Sequence, residues 1–142
     1  VGQGMGLESL RALLELPLAA VEFGAFGGTN FAKLELMRHE QAQKGLLQPL
    51  AFIGQTARDM TQHVNQLVEE HATIQTKSLI ISGGIKNFLD GYHLTSKSKL
   101  PAAYGMASTF LQYAKKDYES LREFTVGQLE GLKIAYAFLR VL

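Results

Sequence analysis

Short apolar runs alternate with longer amphipathic stretches along this chain, and glycine follows the apolar runs. Short, nearly continuous apolar runs indicate buried strands, whereas apolar positions three and four residues apart indicate helices with one buried face. The predicted strands are 19–23, 78–81 and 100–104. The predicted helices are about 7–16, 56–72 and 87–95, with one or two more between 109 and 142. The mixed stretch 29–48 is predicted to be a long functional loop.

The order of these elements is that of an α/β fold. Helix and strand alternate, as expected for a parallel sheet whose strands are joined by crossover helices. Because parallel strands end at the same edge of a sheet, their glycine-rich loops open together, where α/β proteins bind ligands. The pattern therefore predicts a parallel α/β sheet with a phosphate or cofactor site at its carboxyl edge.

The turn 82–86, Ser-Gly-Gly-Ile-Lys, is the first candidate for such a site. It lies between the predicted strand 78–81 and a helix that opens near Asn87. Two glycines let the backbone approach an anion, and the N–H groups at the start of the next helix point towards it. A Gly-Gly turn is also common as plain punctuation between strand and helix. Turn chemistry alone leaves both interpretations open.

Composition restricts the classes of protein that the chain fits. Its 142 residues are 46% hydrophobic and 19% charged, enough for one domain, 1–142, with a sizeable core. The formal net charge of +1 gives no sign of nucleic acid or an anionic membrane as partner. The chain has no cysteine, so it carries no disulfide or thiolate metal site. No apolar stretch approaches the roughly 20 residues that span a bilayer, and we expect a cytoplasmic protein.

Three motifs point to one family. They are Gly-Gly-Thr-Asn-Phe-Ala at 27–32 followed by Glu35, the Ser-Gly-Gly-Ile-Lys turn at 82–86, and Gly-Met-Ala at 105–107. Together they resemble the carboxyl-terminal half of type 2 isopentenyl-diphosphate isomerase, and the likeness runs through nearly the whole chain. It implies the carboxyl-terminal half of a (β/α)8 TIM barrel, from the end of the fifth strand, at 1–5, through the eighth helix.

The resemblance also implies an activity and its cofactors. Members of that family bind FMN, need reduced flavin, with NADPH as a reductant, and need Mg²⁺ to interconvert isopentenyl and dimethylallyl diphosphate. The residues that the resemblance places at the FMN are Thr29, Gly83, Gly84, Lys86, Gly105, Met106 and Ala107. The implied substrate wall is Asn30 and Phe31. The family has tryptophan where Phe31 stands and arginine where Lys86 stands, so an indole N–H and a bidentate guanidinium are lost.

The family's catalytic residues have no counterpart in this chain. Its substrate-binding cations, catalytic histidine and glutamine, and acidic Mg²⁺ ligand lie on the first four strands, and its flavin-contacting lysine would precede Val1. We therefore expect no catalytic residue, no metal ligand and no isomerase activity in this chain alone. Four strands also leave two barrel edges unpaired, so we expect a homo-oligomer that closes them.

Two other interpretations of the whole chain stay open. One is a non-catalytic half-barrel that binds a phosphate-bearing ligand such as a flavin, or that only self-associates. The other is a fragment of an FMN barrel of the 2-hydroxy-acid oxidase type, which shares the Gly-Gly phosphate turn. That family places a His/Arg pair ahead of the turn, whereas His63 and His71 fall on a predicted helix.

A few single side chains also suggest chemistry. Glu22, in the predicted strand 19–23, is a candidate general base, although an ion pair with Lys77 or Lys86 is the commoner role for such a residue. Tyr104 either contacts the flavin ring or fills the core. The four histidines lack the spacing of metal ligands; they are His39, His63, His71 and His93.

Overall fold

Three parallel strands in the order β1-β2-β3 form the sheet in a computed structural model of the protein, which describes residues 3–38 and 45–142. The strands are β1 (Val21–Glu22), β2 (Leu79–Ser82) and β3 (Ala102–Gly105). Each overlaps a strand predicted from the sequence, so the parallel α/β fold is confirmed. Of the residues named above, Val1, Gly2 and His39 lie outside the described ranges.

Helices precede, connect and follow these strands. They are α1 (Leu7–Leu14), α2 (Phe31–Leu36), α3 (Ala57–Glu69), α4 (Phe88–Lys97), α5 (Ala107–Ala114) and α6 (Tyr118–Phe138), together with a 3₁₀ helix at Gln48–Phe52. The helices predicted near 7–16, 56–72 and 87–95 are confirmed, and the stretch 109–142 contains most of two. The loop predicted over 29–48 is wrong where α2 and the start of the 3₁₀ helix lie.

Side-chain caps fix where the two central helices begin. The Thr56 hydroxyl accepts a hydrogen bond from the Asp59 N–H at 3.2 Å, and the Asp59 carboxylate accepts one from the Thr56 N–H at 3.0 Å. The hydroxyl and N–H of Thr56 hold the pKa of Asp59 below its usual value, because both stabilise the carboxylate. At α4, the Asn87 side chain accepts from the N–H groups of Leu89 and Asp90. Both starts depend on local sequence.

The start of α2 depends on a longer connection. The Asn30 side chain caps the helix by accepting from the Lys33 N–H at 2.9 Å, while its amide nitrogen donates to the Ala51 carbonyl at 2.5 Å. A single side chain thus begins α2 and ties it to the 3₁₀ helix. The sequence pattern missed α2 because its six residues include no buried one, so no amphipathic period marks the helix.

One face of the sheet carries the core, and the other is open. The buried strand residues Val21, Leu79 and Ile81, with Phe23 just after β1, pack with fully buried side chains of α1 and α3. Among these are Leu10, Leu14, Met60, Val64 and Leu67. On the opposite face, Glu22, Ile80 and Ala103 lie side by side in register and are all exposed. Ile80, on the central strand, is 37% exposed. The described helices therefore leave one sheet face uncovered.

The longest helix, α6, completes the layer on the helical side. It packs against α4 and α5, and at Gly131 a Cβ would come within 2.5 Å of the Phe88 ring. Phe124 of α6 stacks on Tyr113 of α5 with 4.2 Å between ring centroids. No helix within the described ranges is both long and apolar enough to cross a membrane.

Candidate functional site

Two glycine-rich turns interlock at the carboxyl edge of the sheet. Gly27 follows β1 and has a φ angle of +108°, and Gly83 and Gly84 follow β2 with φ angles of +93° and +76°. Residues other than glycine rarely adopt such angles. A Cβ on Gly27 would lie 2.9 Å from the Gly84 Cα, and one on Gly28 would lie 3.4 Å from the Gly83 Cα. The two turns thus touch backbone to backbone, which requires glycine whether or not a ligand binds.

A cavity of about 860 Å³ opens beside these turns. Its walls come from the ends of all three strands and from α5 and α6. The residues predicted from the family resemblance that line it are Thr29, Phe31, Gly83, Gly84, Gly105, Met106 and Ala107. The structure thus brings together most of the predicted site residues, as expected for loops at the carboxyl ends of parallel strands.

Asn30 does not line this cavity. Its side chain is used by the α2 cap and by the bond to Ala51, and it faces a second cavity of about 510 Å³ between α2 and the 3₁₀ helix. Phe31, its neighbour in the predicted substrate wall, does line the main cavity and is 51% exposed. Of the predicted wall, only the aromatic side chain is in place.

Lys86 also lies outside the cavity lining, on an exposed part of the turn. Its N–H donates to the Asp90 carboxylate at 3.0 Å, and Asn87 takes the next free N–H groups of α4. The sequence predicted that these groups would hold an anion. In the structure they are already satisfied by side chains of the helix itself.

The first turn of α5 offers the donors that α4 lacks. Met106 precedes this helix without a side-chain cap, and no acidic residue lies in the first turn. Met106, Ala107 and Ser108 all line the cavity. Uncapped N–H groups at a helix start carry partial positive charge and favour an anion. Of the two helix starts, that of α5 is therefore the one without a side-chain cap among the described residues.

Several cavity residues were not predicted as site residues. They are Gly24, Ala25, Ser108, Phe110, Leu111, Ala114 and Leu121, whereas Glu22 was a candidate general base and Ser82 and Ile85 belong to the Gly-Gly turn. Leu111 of α5 is 53% exposed although its helix is amphipathic. The sequence did contain a signal for Leu111. An apolar residue on the outward face of a helix that follows a glycine turn can indicate a ligand site.

Glu22 makes a different contact from the one predicted. The ion pairs among the described residues are Arg11–Glu70, Glu35–Arg38 and Glu69–Lys99, and none includes Glu22, so the predicted pair with Lys77 or Lys86 is wrong for this structure. Glu22 instead accepts a hydrogen bond from the Ser82 hydroxyl at 2.9 Å. A hydroxyl in the facing strand thus replaces the expected cation.

Tyr104 belongs to the core. Its ring packs so closely on α4 that a Cβ on Gly91 would come within 2.5 Å of it, and the ring contacts the buried cluster around β2. Burial, with a smaller contribution from Tyr136, raises the pKa of the Tyr104 hydroxyl. Tyr104 does not line the cavity. The core-filling alternative is the one that the structure supports.

Metal ligands are not gathered anywhere in the described part of the chain. No three side chains of the His, Cys, Asp and Glu types lie close enough there to hold an ion. His63 lies on α3 and His93 on α4, while His71 follows α3 with a φ of +55°. None of these three histidines lines the main cavity.

The protein is of the α/β class, with a parallel sheet whose glycine turns border a cavity at its carboxyl edge. No protein-family model matches the chain. Curated proteins that it resembles are named isopentenyl-diphosphate delta-isomerase. The protein of Bacillus pumilus is 34% identical over 113 residues, which cover 79% of this chain and 28% of that protein.

Further relatives carry the same name. The protein of Listeria innocua is 34% identical over 119 residues, covering 82% of this chain and 30% of the relative. That of Ignicoccus hospitalis is 28% identical over 134 residues, covering 94% of this chain and 36% of the relative. The chain therefore spans about a third or less of the length of the relatives that it matches.

Proposed function

We propose that this chain is the FMN-binding portion of an isomerase that interconverts isopentenyl and dimethylallyl diphosphate. The observation that carries the proposal is the cavity at the carboxyl edge of the sheet, which the glycine turns after β1, β2 and β3 border together. The names of the relatives support the isomerase reaction. In the same proposal, the three strands belong to the carboxyl-terminal half of a (β/α)8 barrel.

The cavity fits FMN in size and in chemistry. Its volume of about 860 Å³ is in the range of small-molecule and cofactor sites. Phe31, Phe110 and Leu111 give it apolar walls suited to a flat ring, and the first turn of α5 provides N–H donors suited to a phosphate. When bound, reduced FMN supplies the reactive ring that the isomerisation needs.

The phosphate belongs at α5 in this proposal. In α4, the N–H groups of Leu89 and Asp90 bond to Asn87, and just before this helix the Lys86 N–H bonds to Asp90, whereas α5 lacks a side-chain cap. Gly83 and Gly84 contribute backbone that approaches the ligand closely. Lys86 is a weaker candidate for binding the phosphate. It does not line the cavity, and its N–H is bonded to Asp90.

A carboxylate at the start of α5 tests this placement. Ala107 is the first residue of α5 and is exposed, and an acidic residue in a first turn favours the helix. Ala107→Asp therefore leaves the fold intact but repels a phosphate, and we expect FMN binding to weaken about tenfold or more. Quenching of flavin fluorescence on titration measures the dissociation constant.

Ala107→Asn is the matched control, since it has nearly the same shape without the charge. We expect its affinity for FMN to stay within about threefold of the original chain, because no like charge faces the phosphate. Equal affinity of the Asp and Asn variants would remove α5 from the phosphate site. A substitution at Gly84 is a poorer test, since its φ of +76° makes any side chain there strain the turn.

The whole protein's diphosphate substrate, its Mg²⁺ and its reductant, NADPH for example, are part of the same proposal. Within the described residues that line the cavity, Glu22 is the one ionisable side chain, so the cations that would hold a diphosphate must come from elsewhere. We expect the purified 142-residue chain to show no isomerase turnover with FMN, a reductant and Mg²⁺. Conversion of isopentenyl diphosphate by the chain alone, followed by product chromatography, would contradict this.

Self-association is a second function that the open sheet face supports. The row of Glu22, Ile80 and Ala103 is exposed, and both edge strands have a free side in the described part of the chain. We propose that a second copy covers this face beside the cavity, at Ile80 and Ala103, which do not line it. The oxidase alternative gains nothing from the structure, since no histidine of the described residues lines the cavity.

A further inference from the structure

A three-membered hydrogen-bond chain links β1 to β2 at the wall of the cavity. The Gly24 N–H donates to the Ser82 hydroxyl oxygen at 3.1 Å, and the Ser82 hydroxyl donates to Glu22 Oε1 at 2.9 Å. A carboxylate can only accept, so the single proton of the Ser82 hydroxyl is donated to Glu22. Ser82 therefore holds one oxygen of the Glu22 carboxylate in a fixed position.

The other carboxylate oxygen is available to a ligand. Among the described residues, no side chain or backbone group donates a hydrogen bond to Glu22 Oε2. Glu22 lies on the open face of the sheet and lines the cavity. A carboxylate in such a wall is an acceptor for an N–H or O–H donor, and hydrogen bonds to a charged group are the stronger kind.

The position of Glu22 decides which end of the ligand it meets. Glu22 lies on β1, whereas α5, where we place the phosphate, follows β3. β1 and β3 are two strand spacings apart, or roughly 10 Å. Because Glu22 and Ala107 line the same cavity, a ligand anchored by its phosphate at α5 can extend across it and place its far end, the ring, at β1.

Building on the proposed FMN site, we infer that Glu22 is a specificity-determining residue that accepts a hydrogen bond from the ring N–H of the bound flavin, and that Ser82 is its positioning residue. Oxidised flavin has one ring N–H, the imide N3–H. A flavin that lacks this donor leaves the carboxylate without a partner. The site then selects for the imide as well as for the phosphate.

A pair of flavins that differ at this one atom tests the inference. FMN and 3-methyl-FMN, in which a methyl group replaces the imide hydrogen, are titrated separately and the two dissociation constants are compared as a ratio. We expect the original chain to prefer FMN about tenfold or more, since a hydrogen bond to a charged group is lost with the methyl. In Glu22→Ala the acceptor carboxylate is missing for both flavins, so the preference for FMN falls to about twofold or less.

Ser82→Ala separates positioning from general damage to the fold. A variant that merely loosens the sheet weakens both flavins alike and leaves their ratio unchanged. If Ser82 positions Glu22, the ratio itself falls, by about threefold or more, because the carboxylate is no longer held. Ile80→Val is the control, since Ile80 is in register with Glu22 on the same open face. We expect it to keep the original ratio.

The possible outcomes separate this inference from the FMN proposal. An original chain that binds both flavins equally, or a Glu22→Ala variant that keeps the full preference, overturns the role of Glu22 alone. A ratio unchanged in Ser82→Ala overturns the positioning role. A chain that binds neither flavin overturns the FMN site and this inference with it.

Discussion

Gly83 shapes the site through the side chain that it lacks. Its φ is +93°, and a Cβ at this position would overlap the Ala25 carbonyl oxygen and lie 2.5 Å from the Ala25 nitrogen. We expect Gly83→Ala to lower the free energy of unfolding by about 3 kcal/mol, because backbone strain and a clash with a rigid main chain add. Urea unfolding followed by circular dichroism measures the change.

Gly127→Ala is the matched control for this prediction. Gly127 lies within α6, and a Cβ there would meet nothing within 4 Å. Alanine in a helix interior is favoured over glycine by up to about 1 kcal/mol, so this variant is expected to gain stability. If both variants unfold at the same urea concentration, the interlocked turns are not the constraint that their geometry indicates.

Glycines of the site could be predicted, but the roles of its polar side chains could not. Gly83, Gly84 and Gly105 follow apolar runs, and strand ends are readable from one stretch of sequence. Asn30 and Lys86 were predicted to face the ligand. In the structure, the Asn30 side chain bonds to Ala51, and the Lys86 N–H bonds to Asp90. The Asn30 bond joins residues 21 apart in the chain and depends on tertiary packing, whereas Asp90 is four residues from Lys86 and could have been recognised as a local acceptor.

At the scale of elements, the same division holds. The start of α3 at Thr56 was predicted because its cap is local, with Thr56 and Asp59 three residues apart. α2 was missed although its Asn30–Lys33 cap is equally local, because this helix has six residues and buries none of them, so no amphipathic period marks it. A local cap predicts a helix when a buried face repeats along it, as in α3, whereas a short exposed helix resembles a loop in sequence.

Two helices that both follow glycine turns differ in what they can bind. α4 is capped by Asn87, with Asp90 bonded to the Lys86 N–H, whereas α5 begins after Met106 without a side-chain cap. The family resemblance placed the phosphate between the two turns, at Gly83, Gly84 and Lys86 together with Gly105, Met106 and Ala107. Of these two helix starts, that of α5 is the one without a side-chain cap. Capping residues therefore decide between neighbouring turns that look alike in composition.

At the scale of the whole molecule, the sheet has helices on one face and an exposed row on the other. Glu22, Ile80 and Ala103 form that row, and Ile80 is at its centre on the middle strand. Parallel sheets are normally covered on both faces, because their strands are apolar on both. The carboxyl-terminal half-barrel that we propose would have this open face as its interior.

A charge at the centre of the open face tests whether a second copy covers it. We expect the chain, of 15.6 kDa, to have at least twice that mass by light scattering, because closure buries the exposed row. Ile80→Lys should return it to the monomer mass, since a buried lysine without a partner is costly. Val126→Lys, on α6, is the matched control, because Val126 is 41% exposed and Ile80 is 37% exposed. A monomeric original chain, or equal effects of the two lysines, would show that this face is not where the copies meet.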